Sequence, residues 1–260
     1  MGAIKGLFYL VVVLVVIAGG GLMGMRAGRN KFSPATEIQS GVYGVRSAGG
    51  TYLYGARTGH NVVLFDTGAD PAGAPVDGLL GALGAGRDDV KDIFLTHGHF
   101  DHLAGAGQFP DAHTYLGAAD LGLASGAAAP DALAIKLLTL AAHPHPVAIT
   151  HPLNGRETIP VGDGKTVKAF PVPGHTPGSF AFLYDGVLFP GDIMIYKEGR
   201  LETTPAIFDA HPEENRSAIR SLKTQLVADT VDTICTAHGG CTPKGLGRNL
   251  LDDLLGRLGG

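Results

Sequence analysis

His97, His99, Asp101 and His102 place four potential metal ligands within six consecutive residues, directly after the apolar run Ile93-Phe94-Leu95. Imidazole and carboxylate donors together suit zinc, and also iron or manganese. If the chain leaves a strand at Leu95, His97 and His99 point the same way, because side chains two apart on extended backbone share a face. A turn into a helix at Asp101 and His102 then presents two further donors beside them. With 11 histidines in 260 residues, stray pairs are expected by composition alone. An H-x-H-x-D-H string at a strand end is a far rarer arrangement. A metal held there would polarise a bound oxygen and ease the ionisation of a bound water.

The elements that must position this string can be read from periodicity. Residues 41–45, 51–54 and 62–65 are predicted strands, enriched in β-branched and aromatic residues between glycines. Residues 75–83 are compatible with a helix, 93–95 form a buried strand, and 101–108 begin a short helix with Asp101 near its N-terminus. Residues 130–142 start with proline and run on rich in Ala and Leu, predicting a helix. The second half repeats the alternation, with strands near 167–170, 180–184 and 187–189 and a helix over 212–227. A strand at 233–236 leads into His238, and residues 244–258 read as a terminal helix. Donors therefore sit at strand ends in both halves, as a pair of sheets with helices outside would place them. His143, His145 and His151 fall in a proline-broken stretch expected to be a loop, and His60, His113 and His211 have no motif around them.

The H-x-H-x-D-H string resembles the signature of the metallo-β-lactamase superfamily, and further landmarks follow in order. Leu64-Phe65-Asp66-Thr67-Gly68 is similar to its strand-end aspartate motif, and Gly174-His175-Thr176-Pro177-Gly178-Ser179 to its third-histidine loop. Pro190-Gly191-Asp192 resembles the bridging-aspartate turn, and Ala237-His238-Gly239 the last histidine. The resemblance implies a four-layer αββα sandwich and two metal sites. His97, His99 and His175 would hold one metal, Asp101, His102 and His238 the other, with Asp192 bridging. Asp66 would orient a histidine ligand rather than bind metal. The implied cofactors are two zinc ions, with iron or manganese as alternatives.

Residues 6–25 contain no charge and centre on the run from Leu10 to Ile17. Twenty such residues are long enough to cross a bilayer as a helix. We therefore expect residues 1–32 to be a membrane anchor or signal segment with its linker, and 33–260 to be the catalytic domain. Lys5 and the small trio Ala18-Gly19-Gly20 also suit a cleaved signal peptide, which would make the protein secreted or periplasmic. Without a clean A-x-A site, a single-pass anchor is the expectation. Arg26, Arg29 and Lys31 against Lys5 favour a cytoplasmic domain, and the free amino terminus nearly offsets that difference. A net charge of −4 without any Lys/Arg run argues against nucleic acid as a partner and leaves a small-molecule substrate. Cys235 and Cys241 are expected as buried thiols, a disulfide between them requiring an extracytoplasmic domain. Oligomeric state is not legible.

The superfamily hosts many chemistries, so the fold does not fix the reaction. Its β-lactamases lack the bridging aspartate, present here as Asp192. Its glyoxalase II branch adds a C-terminal helical domain, for which the residues after His238 are too few. The resemblance thus implies a hydrolase of a small ester, lactone or thioester that uses a metal-bridging hydroxide, with Asp101 able to relay a proton. The lactonase branch carries a tyrosine near the bridging aspartate; Tyr196, four residues after Asp192, is the candidate for polarising the substrate carbonyl. The alternatives are a mono-iron persulfide dioxygenase and a non-catalytic binding protein on the same fold.

Overall fold

Strands β1 (Thr36–Gln39), β2 (Val42–Arg46), β3 (Tyr52–Thr58) and β4 (Asn61–Phe65) follow one another antiparallel. β5 (Val90–Phe94), β6 (His113–Gly117) and β7 (His151–Leu153) then add on in parallel, completing a sheet in the order β1 to β7. Parallel neighbours cannot be joined by a tight turn, so each needs a crossover. Helix α1 (Ala74–Ala82) lies in the first crossover, α2 (Phe100–Leu103) in the second, and α3 (Leu121–Ala124) and α4 (Leu133–Ala142) in the third. This computed structural model describes residues 32–39, 41–47 and 49–259.

The second sheet opens with β8 (Glu157–Gly162), β9 (Lys165–Pro171), β10 (Phe180–Tyr184) and β11 (Val187–Phe189), again antiparallel. A separate ribbon, β12 (Met194–Lys197) with β13 (Arg200–Thr203), precedes helix α5 (Pro212–Gln225). β14 (Thr233–Thr236) returns parallel to β11, β15 (Gly240–Cys241) pairs antiparallel on its outer side, and α6 (Gly247–Arg257) follows.

Three apolar clusters show how the layers stack. Phe65 and Phe94 of the first sheet meet Phe182 and Phe189 of the second in a central core. The Phe65 and Phe189 rings stack at 4.0 Å between centroids. On the far side of the first sheet, Leu64 and Ile93 pack with Val76 and Leu79 of α1. On the far side of the second, Phe170 and Ile234 pack with Ile219 and Leu222 of α5 and Leu254 of α6. Strands buried on both faces read as continuous apolar runs rather than alternating ones, which is why β10, Phe-Ala-Phe-Leu-Tyr, is buried throughout. The αββα sandwich expected from the resemblance is the architecture observed.

The details differ in places. The mid-chain helix begins at Leu133, because Ala132 before it is extended and the stretch from Pro130 leads in without helical pairing. His151 belongs to β7 rather than to a loop, since Tyr115 of β6 supplies a strand partner for it. Cys235 and Cys241, expected as free thiols, form a disulfide. The β14–β15 hairpin sets them directly opposite, with Cα atoms 4.0 Å apart. The charge-free stretch over residues 6–25 lies outside the described residues. Among the described residues no helix is long and apolar enough to cross a membrane.

Phe65 is the ring that both sheets share, so Phe65→Ala should lower unfolding free energy by about 3–5 kcal/mol in denaturant titration. A loss below about 1 kcal/mol would mean that the central core does not hold the layers together.

Candidate metal centre

Every residue of the cluster lies in the segment that follows the end of a strand. The chain leaves β5 at Phe94, bends through Thr96, His97 and Gly98, and returns to extended backbone at His99 before α2 starts at Phe100. Asp101 and His102 occupy the short helix that follows. His175 lies between β9 and β10, Asp192 follows β11, and His238 sits in the turn between β14 and β15. Strand ends from both sheets thus open onto one place.

There the donor atoms converge. His97 Nε2 lies 2.9 Å from His99 Nδ1, and His175 Nε2 lies 3.2 Å from the same atom. These three make one group in which all donors fall within 4.8 Å of one another, and Asp101, His102 and His238 make a second. Asp192 stands between them. Its Oδ2 is 3.6 Å from His175 Nε2, 3.4 Å from His102 Nε2 and 3.1 Å from His238 Nε2. Asp101 Oδ2 is 3.3 Å from His238 Nε2 and accepts a hydrogen bond from Thr51 Oγ at 3.0 Å.

Two observations test whether a cation fits. His102 Nε2 and Asp192 Oδ1 are fully buried and have no hydrogen-bond partner. Buried polar atoms are rarely left so, and a site for an ion is one of the few explanations. Within the His97–His99–His175 group the imidazole nitrogens also face each other, an arrangement that a shared cation resolves and a proton cannot fully satisfy. The donor set, imidazole with carboxylate, is that of zinc and its neighbours.

Behind these donors stands a shell of carboxylates. Asp66 Oδ2 lies 2.9 Å from His102 Nδ1, and its Oδ1 accepts the Thr96 backbone N–H at 2.8 Å. Asp66 holds a left-handed backbone, φ 59°, to reach both. Asp209 Oδ1 lies 2.9 Å from His175 Nδ1, while its Oδ2 accepts from Asn215 of α5 at 3.0 Å. Each pairing fixes the ring and leaves Nε2 to face the cluster, the usual arrangement behind a metal-binding histidine. Asp120, wholly buried, accepts the Gly98 and Gly178 N–H groups at 2.8 Å each and the Thr176 hydroxyl at 2.6 Å. It ties the His97–His99 loop to the His175 loop. The approach is close enough to require glycine: a Cβ on Gly117 would sit 2.1 Å from the Gly178 carbonyl oxygen.

Residues 47–238 match the profile of the metallo-beta-lactamase superfamily. The chain belongs to that superfamily. Among curated relatives, it is 36% identical over 140 residues to a hydroxyacylglutathione hydrolase of Fuscovulum blasticum, covering 52% of this chain and 46% of that protein. It is 30% identical over 165 residues to a probable metallo-hydrolase of Mycobacterium tuberculosis, covering 56% of this chain and 52% of that protein. The chain thus spans about half the length of the curated relatives it matches. Among solved structures, the class B3 di-zinc metallo-beta-lactamase LRA-12 from an Alaskan soil metagenome superposes with a TM-score of 0.65 at 20% identity, covering 90% of this chain and 94% of that one. A subclass B3 enzyme of Bradyrhizobium japonicum gives 0.64 at 20% identity, covering 90% and 96%. At such identities the likeness is one of fold.

In this metallo-beta-lactamase fold the two donor groups differ electrostatically. Burial, reinforced by neighbouring rings, drives His97 well below the ordinary imidazole value and His99 down to about 3. His238 is pushed up to about 10, chiefly by Asp192. For His102, burial pulls downward, but Asp192, Asp66 and Asp101 outweigh it and the net shift is upward. Burial likewise opposes ionisation of Asp101 and Asp192, and the adjacent His102 and His238 overcome it, holding both carboxyls low.

Of the residues singled out in the sequence, seven donors and Asp66 come together here. Tyr196 is not among the donors: it is partly buried against the apolar cluster that α5 and α6 cover, while its backbone lies against the turn at Gly239. Asp120, Thr51 and Thr96 are the supporting residues that no sequence motif marks. Only Asp209 carried a trace, an Asp placed shortly before a helix, and the others have no local signature because their partners are distant in sequence.

Two outcomes follow for the metal-free protein. Asp209→Ala should weaken metal binding about 10- to 100-fold, though Asp209 does not reach into the cluster; unchanged affinity in a chelator competition would show that His175 needs no support. His238, pushed up to about 10, and His102, shifted upward by the same carboxylates, must give up a proton for a cation to bind. Affinity for the second equivalent of metal should therefore rise with pH up to about 10, roughly tenfold per unit for each proton displaced. An affinity flat across that window would contradict the assignment of those two charges.

Proposed function

We propose that the protein is a dinuclear metal-dependent hydrolase of a small ester, lactone or thioester. The observation that carries this reading is the pair of donor groups joined by Asp192, with orphaned atoms at His102 and Asp192 between them. His97, His99 and His175 would hold one ion, Asp101, His102 and His238 the other, with Asp192 shared; zinc suits this set, and iron or manganese are the alternatives. Such a pair, when bound, supplies a water ionised near neutral pH and a Lewis acid for the carbonyl oxygen.

The chain's own residues do the rest. Asp66 and Asp209 keep the proton of their histidines on Nδ1, so that Nε2 presents a lone pair inward. Thr96 Oγ, in reach of Asp66 and 3.1 Å from His97 Nδ1, does the same for His97. Asp101 is held by Thr51 and faces His238, which is the most exposed of the donors, at the lip of the site. A proton taken up at Asp101 Oδ2 has a short path to a leaving oxygen or sulfur there. Tyr196 is read as a packing residue and given no step.

The relatives' names are consistent with this class: hydroxyacylglutathione hydrolase is a thioester hydrolase, and others are metallo-hydrolases. The occurrence of a complete second donor group favours two ions over the single iron of a persulfide dioxygenase. We also infer that residues 6–25 anchor the protein and that the domain lies on the oxidising side of the membrane. Support for the side comes from the Cys235–Cys241 disulfide, a bond that persists outside reducing compartments.

Purified with metal, the protein should hydrolyse activated esters, lactones or thioesters with a rate rising through about pH 7, be silenced by chelation and recover with zinc or manganese. Oxygen uptake with persulfides, in the absence of any hydrolysis, would overturn the reading. Tyr196→Phe should leave kcat/KM within about threefold, whereas loss of a donor to the developing oxyanion would cost about 100-fold or more. Full-length protein should stay in the membrane fraction through a high-salt wash; release by salt alone would exclude an integral anchor.

A further inference from the structure

Beside the donor cluster lies a cavity of about 490 Å³, within the range typical of small-molecule sites. His99, a member of the first donor group, forms part of its wall. The remaining wall near His99 is apolar, made by Phe100 and Leu103 from one side and Leu123 and Ala129 from the other. Its outer end is formed by α4, the helix that buries none of its residues. Leu133, Leu137 and Leu140 on that helix are 69%, 45% and 64% exposed, and Ile207 in the adjacent turn is 68% exposed.

Exposed apolar residues scattered singly need no explanation, but a contiguous set at the mouth of a cavity does. Here Leu140 lines the cavity itself, and Leu133 and Leu137 extend from it along the same helix. The ionisable residues in the wall besides His99 are Lys136, His143 and His145, and among the described residues no carboxylate lines it. A positively charged substrate is therefore disfavoured. Thr139 Oγ, also in the wall, is buried without a hydrogen-bond partner, so it can meet a polar atom of a bound molecule.

We propose that this cavity receives the acyl chain of the substrate, making the preferred substrates esters, lactones or thioesters of medium-length, uncharged or anionic acyl groups. This rests on the hydrolase reading above, which supplies the scissile bond next to His99. The cavity accounts for three things together: apolar walls continuous with the donors, an apolar helix left exposed at their end, and loops of alanine rather than bulky residues between them. Each methylene that enters should strengthen binding by about 2- to 4-fold, the effect of removing it from water.

The test uses the full-length metal-loaded protein and two measurements. Calorimetric titration with octanamide and with acetamide, neither of which is a hydrolysed ester, reads the cavity without turnover. Octanamide should bind about 50-fold tighter or more, and Ala129→Trp, a change at an exposed loop position, should remove most of that advantage. Kinetics on nitrophenyl esters from acetyl to octanoyl should show kcat/KM climbing with chain length, with Ala129→Trp lowering the octanoyl value at least about tenfold more than the acetyl value. Equal binding of the two amides would overturn the proposal whatever the activity. A flat chain-length series with active enzyme would also overturn it and leave the hydrolase reading in place. Tight octanamide binding with no ester hydrolysed would support the acyl site and bring down the hydrolase reading instead.

Discussion

Three carboxylates placed behind buried histidine rings are the interaction on which the rest of the site depends. His97, His99, His102 and His175 are each at most 3% exposed and lie with ring centroids between 4.0 and 4.9 Å for most pairs. Rings so crowded repel one another when charged and lose hydration when buried, so nothing in their own chemistry keeps them together. Asp66 and Asp209 fix two of the rings through Nδ1, and Asp120 ties together the loops that carry the others. The close backbone contacts follow from that clamp. Gly174, at φ 134°, would place a Cβ 2.1 Å from the Asn215 nitrogen, and Asn215 is the residue that braces Asp209.

The two donor groups are unequal, and the inequality has functional meaning. The three-histidine group is buried and its His97 and His99 are driven towards the neutral form, ready to accept a cation. In the Asp101–His102–His238 group the neighbouring carboxylates raise both imidazoles above their ordinary value, so a cation competes with protons there. His238 is the partly exposed member, with 34% of its side chain accessible, so exchange of protons with solvent is available at that edge. Asp192 couples the two groups: a carboxylate shared between them makes the charge of either felt by the other.

Much of this was legible in the sequence because the donors lie in short strings attached to strand ends. His97 to His102 announced themselves by type and spacing, and the apolar runs at 180–184, 187–189 and 233–236 coincide with β10, β11 and β14. The four-layer stacking followed from those runs together with the resemblance. The less legible parts depend on contacts distant in sequence. Asp120 acts on residues 22 and 58 positions away, so no local pattern marks it. β7 and the β12–β13 ribbon are short and gain their pairing from neighbours, and α4 starts late because Ala132 is extended. The pairing of Cys235 with Cys241 required knowledge of a hairpin register that six residues of sequence do not display. Tyr196 was drawn towards the site by its nearness to Asp192, yet it is partly buried against the apolar cluster that α5 and α6 cover.

The most direct test of the central claim is anomalous diffraction at the zinc edge from crystals of the zinc-loaded protein. Two peaks are expected, one among His97, His99 and His175 and one among Asp101, His102 and His238, with Asp192 between them. A single peak, or zinc bound away from these residues, would contradict the account.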